Sequence, residues 1–119
     1  MKNNDDFINT LEISEGMLAA IVPAIEALSV LSRGLVSQRD SREKREAVNQ
    51  IHACIAPVNA KLDCILKNVA ELEADLNRDH PAGEFVHRAK LRHIKESTLV
   101  VKHRAREVIK SLTPAIKSN

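Results

Sequence analysis

The sequence is poor in aromatic residues, glycine and proline. Its 119 residues include no tryptophan and no tyrosine, and the only aromatic rings of this kind belong to Phe7 and Phe85. Aromatic rings provide much of the stacking surface in ligand and nucleobase sites, so this chain has little with which to bind a planar ligand. Three glycines and four prolines leave few residues for tight turns. We therefore expect few and long elements, and a β-rich fold is disfavoured.

Cysteine is also scarce, and no targeting segment stands out. Cys54 and Cys64 lie ten residues apart on one predicted helix, roughly 15 Å apart and beyond the reach of a disulfide. Free thiols are typical of a reducing compartment. The N-terminal region carries Asp5 and Asp6, where a secretory signal would be basic. The apolar stretch 16–35 contains a proline and two charged residues, which favours a packed core helix over a membrane span. We expect a cytoplasmic protein with no membrane contact.

What the chain does contain is a regular alternation of three- and four-residue spacings between aliphatic residues. In the middle of the sequence this alternation continues over four heptads, at Val48, Ile51, Ile55, Val58, Leu62, Ile65, Val69, Leu72 and Leu76. The spacing predicts a helix that packs one narrow apolar seam against neighbouring helices. A second seam follows at Leu91, Ile94, Thr98, Val101, Ala105, Val108 and Leu112, and a shorter one precedes at Leu18, Ile21, Ile25 and Leu28.

Breaker and capping residues set the helix boundaries. Gly34 is a left-handed stop for the first helix. Asp40 takes the first position of a capping box that opens the second helix, and Pro81 falls in the first turn of the third. The predicted helices span residues about 5–33, 41–77 and 81–113.

Pro23 and Pro57 fall inside the first two predicted helices. The apolar seam keeps its phase across both prolines, which favours two kinked helices over five shorter ones. Short connections make consecutive helices antiparallel. The sequence thus predicts a single all-α domain, residues 1–119, that forms an antiparallel bundle of three long helices.

Helix 1 has more apolar surface than two neighbours can cover. Between residues 16 and 35 its only charges are Glu26 and Arg33. The apolar residues off the seams, which are candidates for an interface, are Met17, Val22, Val30, Leu31, Leu99 and Val100. Large exposed apolar surfaces usually mark association sites. We therefore predict a homodimer in which a second chain completes the bundle.

Basic residues are concentrated toward the C-terminus. Residues 81–119 hold nine Lys or Arg against three acids, and residues 1–32 hold one Lys against five acids. A candidate polyanion-binding flank of helix 3 consists of Arg88, Lys95, Lys102 and Arg106. Such a row could follow a phosphate backbone. Because no aromatic residue alternates with it, we favour pairing with the acidic flank of helix 1, namely Glu12, Glu15 and Glu26.

Two loose patterns point to catalysis or metal binding. The segment from Arg88 to His93 resembles the Arg-x4–6-His motif of HEPN-type ribonucleases, which are all-helical domains of about this size and often dimers. The resemblance would imply a histidine for proton transfer and an arginine for the phosphate, but Ala89 replaces the polar residue usual in that family. Arg45 and His52 have the same spacing.

Metal binding is the second pattern. The segment Glu84 to His87 has the Glu-x-x-His spacing of di-iron bundles, but it occurs once where such a site needs two copies. A stripe of metal-capable residues opposite the seam of helix 3 comprises His93, Glu96, His103 and Glu107. Because this stripe points away from the apolar seam, we favour a solvated surface over a metal centre. We predict no catalytic residues, no metal and no cofactor.

The function predicted from the sequence is that of a non-enzymatic helical protein–protein interaction module. An adaptor, a regulator, an inhibitor or a secretion accessory of a bacterium or phage would fit this description, and no small-molecule substrate is evident. The alternative is a nucleic-acid-binding accessory protein that uses the basic flank of helix 3, with a HEPN-like ribonuclease as a third hypothesis.

Overall fold

A computed structural model describes residues 4–80 and 82–117. Within them the chain forms three α-helices, α1 (Asn4–Val36), α2 (Arg42–Asp79) and α3 (Phe85–Lys117). All three helices pack against one another, and the bundle is a rod of 57 × 19 × 19 Å. The predicted all-α three-helix bundle is confirmed. Because the connections are short, α1 and α3 run in one direction and α2 runs in the other.

The seams predicted for α2 and α3 form the core. All seven α3 positions are buried, and so are eight of the nine α2 positions, Val58 being half-buried. Because the buried residues are spaced alternately three and four residues apart, they lie on one face of each helix, and this face points to the core over the whole length of the helix. Leu62 and Ile65 are fully buried, and Ile55 is 1% exposed.

In α1 the same spacing extends further in both directions than predicted. Phe7 and Leu11 are buried at the beginning of the helix, and Leu35 packs against the core near its end. The predicted stop at Gly34 was wrong, since the helix continues to Val36. The physical reason is that Leu35 occupies the next seam position, and helical continuation is what carries it to the core.

The start of α2 also differs from the prediction. Ser41, not Asp40, is the N-cap, and its hydroxyl accepts a hydrogen bond of 3.1 Å from the Lys44 amide. Asp40 instead contacts Arg45, at 3.3 Å between carboxylate and guanidinium. Lys44 itself is 9% exposed and donates from Nζ to the Gln38 carbonyl at 2.8 Å, which closes the α1–α2 connection.

Both prolines lie within continuous helices. α1 includes Pro23 and α2 includes Pro57, so the alternative of five shorter helices was wrong. Each side chain is exposed on the side away from the core, where the missing amide hydrogen bond can be compensated by water.

The predicted boundaries around the second connection were too narrow for α2 and too early for α3. α2 continues to Asp79, α3 begins at Phe85 and it ends at Lys117. Pro81, which the sequence analysis placed in the first turn of helix 3, lies outside the described residues. Gly83 and Glu84 have positive φ values of 109° and 55°, a conformation that prevents α3 from starting earlier.

Candidate interaction surfaces

Arg88 organises the connection between α2 and α3. Its guanidinium donates to the Asn77 side-chain oxygen at 2.7 Å, to the Gly83 carbonyl at 2.9 Å and to the His80 carbonyl. The His80 amide in turn donates to the Leu76 carbonyl at 2.7 Å. An arginine fork suits this position because it can satisfy several carbonyls at a helix C-terminus at once. Arg88 is a candidate polyanion-binding residue in the alternative hypothesis, and in the structure its guanidinium donates to groups within the molecule.

Two other members of the basic flank pair with α2. Lys95 lies 3.9 Å from the Glu73 carboxylate, and Lys102 forms an ion pair and hydrogen bond with Asp63. Arg106 is exposed and has no ion-pair partner among the described residues. The prediction that this flank pairs with the acids of helix 1 was therefore wrong. The flank lies on the side of α3 that faces α2. A helical wheel of α3 alone does not show which of the other two helices lies beside this flank.

The contact between α1 and α3 uses a different arginine. Arg104 lies 3.6 Å from Glu26. The pair borders an open groove of about 660 Å³ between the two helices, which is also lined by Ser29, Ser32 and Arg33. Ser32 is buried and its hydroxyl donates to the Ser29 carbonyl at 2.8 Å.

The histidines and glutamates of α3 are not gathered into a site. Arg88 lies against the α2–α3 connection, while His93 is exposed five residues further on, which is about 140° around the helix. The HEPN-like pair is therefore not brought together on one face. His103 and Glu107 are 3.9 Å apart and exposed. Within residues 4–80 and 82–117 there is no group of three or more His, Cys, Asp or Glu that could hold a metal ion.

Glu84 and His87, the single Glu-x-x-His match, stabilise the end of the bundle instead. The Glu84 carboxylate is 3.0 Å from His87 Nδ1, and the His87 ring packs against Phe7 with centroids 5.0 Å apart. Close by, Arg78 contacts Asp75 at 2.8 Å. The hydrogen bonds that the Arg78 guanidinium donates to Asp75 and to Asp79 raise its pKa further above its ordinary value, so it stays charged wherever the protein is folded.

An uncharged surface lies on α1, on the side away from the core. We call it the α1 outer face and define it by its exposed residues: Ile13, Gly16, Ala20, Pro23, Ala24, Ala27, Val30, Leu31 and Gly34. Ile13, Val30 and Leu31 are 57–60% exposed. Every charged residue of α1 between positions 10 and 35 lies on the flank beside this face. Contiguous apolar surfaces of this kind are uncommon on proteins that remain monomeric.

No family model, curated protein or solved structure matches the chain. The interaction surfaces must therefore be judged from their own geometry.

α2 extends the apolar surface sideways. The hydrogen bond of 3.4 Å between Ser14 and Asn68 fixes the register of the two antiparallel helices. It places the middle of the α1 outer face level with residues 53–60 of α2. The exposed residues of that segment are Ala53, Cys54, Ala56, Pro57 and Ala60, none of which is charged. The uncharged surface of α1 therefore continues onto this segment of α2, and it ends at the exposed Lys61.

No close contact within the described bundle requires the two glycines of the α1 outer face. A Cβ atom at Gly16 or at Gly34 would meet nothing within 4 Å. Gly16 lies in the interior of α1, where glycine costs about 1 kcal/mol relative to alanine, and Gly34 lies in the last turn of the helix.

The six predicted interface residues do not form one surface. Met17 and Val22 are half-buried and pack against the core, whereas Val30 and Leu31 belong to the α1 outer face. Leu99 and Val100 are about half exposed on α3, away from that face. The sequence had signalled Ile13 and the two glycines only weakly, since an isolated exposed aliphatic residue or glycine is common in helices.

α1 also has the length and composition of a membrane span. In the described part of the chain, Asp5–Val36 meets this criterion with a mean hydropathy of 1.6 in its most apolar window, of which 17% is buried in the bundle. Core helices and signal sequences meet it as well, so the property by itself assigns no membrane role.

Proposed function

We propose that this protein is a non-enzymatic helical module that acts through protein–protein contact, with the α1 outer face as its contact surface. The observation that carries the proposal is the absence of charge along this face together with its exposed aliphatic side chains. Ile13, Val30 and Leu31 are each more than half exposed, and association would remove them from water at a gain of roughly 25 cal/mol per Å².

The size of the face supports self-association into a homodimer. From Ile13 to Gly34 it is roughly 32 Å long, and a helix with its side chains is about 10–12 Å wide. The flat projection of the face is therefore roughly 350 Å², and the accessible area of a ridged helical surface exceeds its projection. A stable interface buries about 800 Å² on each partner, so a second copy of the chain is an occupant of suitable size when the uncharged exposed residues of segment 53–60 of α2 are included.

The charged surfaces support this choice over binding to a polyanion. Of the four basic residues that could form a phosphate-binding flank, Arg88, Lys95 and Lys102 already contact groups of α2 or its C-terminal connection. Binding to phosphates would have to compete with these contacts. The α1 outer face has no such competing partner among the described residues.

Sedimentation equilibrium of the wild type and of two matched variants tests the proposal. We expect the wild type to sediment at twice 13.2 kDa at micromolar concentrations. Leu31→Asp should sediment as a monomer with unchanged helix content, because Leu31 is 57% exposed in the isolated bundle. Val100→Asp is the control, since Val100 is 53% exposed on another face, and it should remain dimeric.

Two results would overturn the proposal. One is a mass of 13.2 kDa for the wild type at all concentrations up to several hundred micromolar. The other is co-flotation of the wild type with phosphatidylcholine–phosphatidylglycerol vesicles that Leu31→Asp abolishes, which would assign the same face to a lipid surface.

A further inference from the structure

We infer that two copies of this chain pair α1 against α1 in an antiparallel, two-fold arrangement centred on Pro23. The inference rests on the proposed function and specifies its geometry. It follows from two observations: the charges beside the α1 outer face and the two glycines within it.

Three of the four charged residues beside the face lie on one straight line along α1, and the fourth, Glu15, is one turn from Glu12 on the side nearer the core. Glu12, Ala19, Glu26 and Arg33 are spaced by seven residues, which places them on one line along the helix. Glu26 is paired with Arg104 of α3. Glu12 and Arg33 are exposed, and neither has an ion-pair partner within residues 4–80 and 82–117. Two unpaired charges of opposite sign therefore lie at opposite ends of the same flank.

An antiparallel two-fold pair brings these charges together. In such a pair the charged flanks of the two α1 helices lie on one side of the contact. Residues at equal distances along the helix from the two-fold axis, but in opposite directions, lie opposite each other. Glu12 is eleven residues before Pro23 and Arg33 is ten residues after it. Each Glu12 then faces the Arg33 of the other copy, and symmetry makes this contact twice.

Other arrangements lose this complementarity. Moving the axis half a heptad toward the N-terminus would bring Glu12 opposite Glu26, and the same shift toward the C-terminus would bring Glu26 opposite itself. A parallel pair would place the charged flank against the opposite edge of the face, where Met17, Ala24 and Leu31 offer no charge. The register centred on Pro23 is the one that spans the whole face and pairs opposite charges.

The glycines fit the same register. Gly16 and Val30 are each seven residues from Pro23, and Ile13 and Gly34 are ten and eleven residues from it. Two of the three large exposed aliphatic side chains of the face, Ile13 and Val30, would thus lie over a glycine of the other copy. Close approach of a second backbone gives a reason for two glycines that no contact in the described bundle requires.

Charge reversal tests the arrangement, with the dissociation constant measured by sedimentation equilibrium at low salt. Arg33→Glu alone and Glu12→Lys alone should each raise the dissociation constant roughly 25-fold, because two pairs worth up to about fivefold each become repulsive. The double variant should regain the wild-type value. An equimolar mixture of the two single variants should form a heterodimer, in which all contacts are again between opposite charges. The differences should shrink at 0.5 M salt.

Gly16→Leu provides a second test, independent of charge. Leucine has a higher helix propensity than glycine, and a Cβ atom at position 16 meets nothing within 4 Å in the isolated bundle. The thermal stability of the monomer should rise, while the dissociation constant of the dimer should rise at least tenfold. Arg92→Glu, on an exposed part of α3, is the control and should change neither quantity.

The outcomes separate the geometry from the function. If Leu31→Asp dissociates the dimer but Arg33→Glu, Glu12→Lys and Gly16→Leu leave it intact, the antiparallel register is wrong and the interaction module stands. If single charge reversals weaken the dimer but their mixture does not associate, the Glu12–Arg33 contact is refuted. A monomeric wild type refutes both proposals.

Discussion

Replacing Arg88 with alanine tests whether this residue holds the α2–α3 connection together. Its guanidinium has three good acceptors, the Gly83 and His80 carbonyls and the Asn77 side chain. The connection is open to water, so we assign each bond about 0.5–1 kcal/mol. The expected loss is therefore about 1.5–3 kcal/mol of the free energy of unfolding.

This loss is readily measured by urea titration followed by circular dichroism at 222 nm. For a chain of this size 1 kcal/mol corresponds to about 4 °C, so the melting temperature should also fall by about 6–12 °C. Arg88→Lys should lose most of the same amount, since an ammonium cannot reach three divergent acceptors. Arg92→Ala is the control on the exposed side of α3 and should change stability by less than about 0.5 kcal/mol.

Wild-type stability of Arg88→Ala, within the error of the titration, would refute the structural role. If that variant also lost binding to labelled RNA or DNA at physiological salt, Arg88 would be a phosphate-binding residue as the alternative hypothesis requires. If Arg88→Lys alone kept full stability, the positive charge and not the fork would be what the connection needs.

Three further predictions concern stability, each measured by the same titration. Leu62→Ala should cost about 2–5 kcal/mol because the side chain is fully buried, whereas Cys64→Ala, on the exposed side, should cost less than about 0.5 kcal/mol; equal losses would contradict the assigned helix phase. The double change Lys95→Gln and Lys102→Gln should cost at most about 2 kcal/mol in total, and a loss that persists in 1 M salt would show that ion pairing is not its cause. Ser41→Ala should cost about 1 kcal/mol and Ser41→Gly only a few tenths, and the reverse order would argue against Ser41 as the N-cap.

The core could be predicted from the sequence because its signal is local. Positions such as Ile55, Leu62 and Ile94 are marked by their spacing within one helix, and that spacing determines which face is buried. The prolines did not obscure it, since the pattern keeps its phase across both. Helix existence, direction and packing face followed from these regularities alone.

The partners of the charged flanks could not be predicted in the same way. A helical wheel shows that Lys95 and Lys102 share a flank but does not reveal whether α1 or α2 lies beside it, because that depends on the handedness of the bundle. The contacts of Arg88 could not be predicted from the sequence for a different reason. Its acceptors are mainly backbone carbonyls of a connection, and carbonyls carry no sequence signal.

The odd number of helices has a mechanical consequence. α1 begins at the end of the rod where α3 begins, and α3 finishes at the opposite end, so the first and last described residues are separated by nearly the full 57 Å. A force applied between them acts along the helix axes. Such a force shears all layers of the core at the same time. A two-helix hairpin pulled at its adjacent ends would instead open one layer after another. The layers of the seam would therefore resist such a force together, and the rupture force should be that of the whole seam.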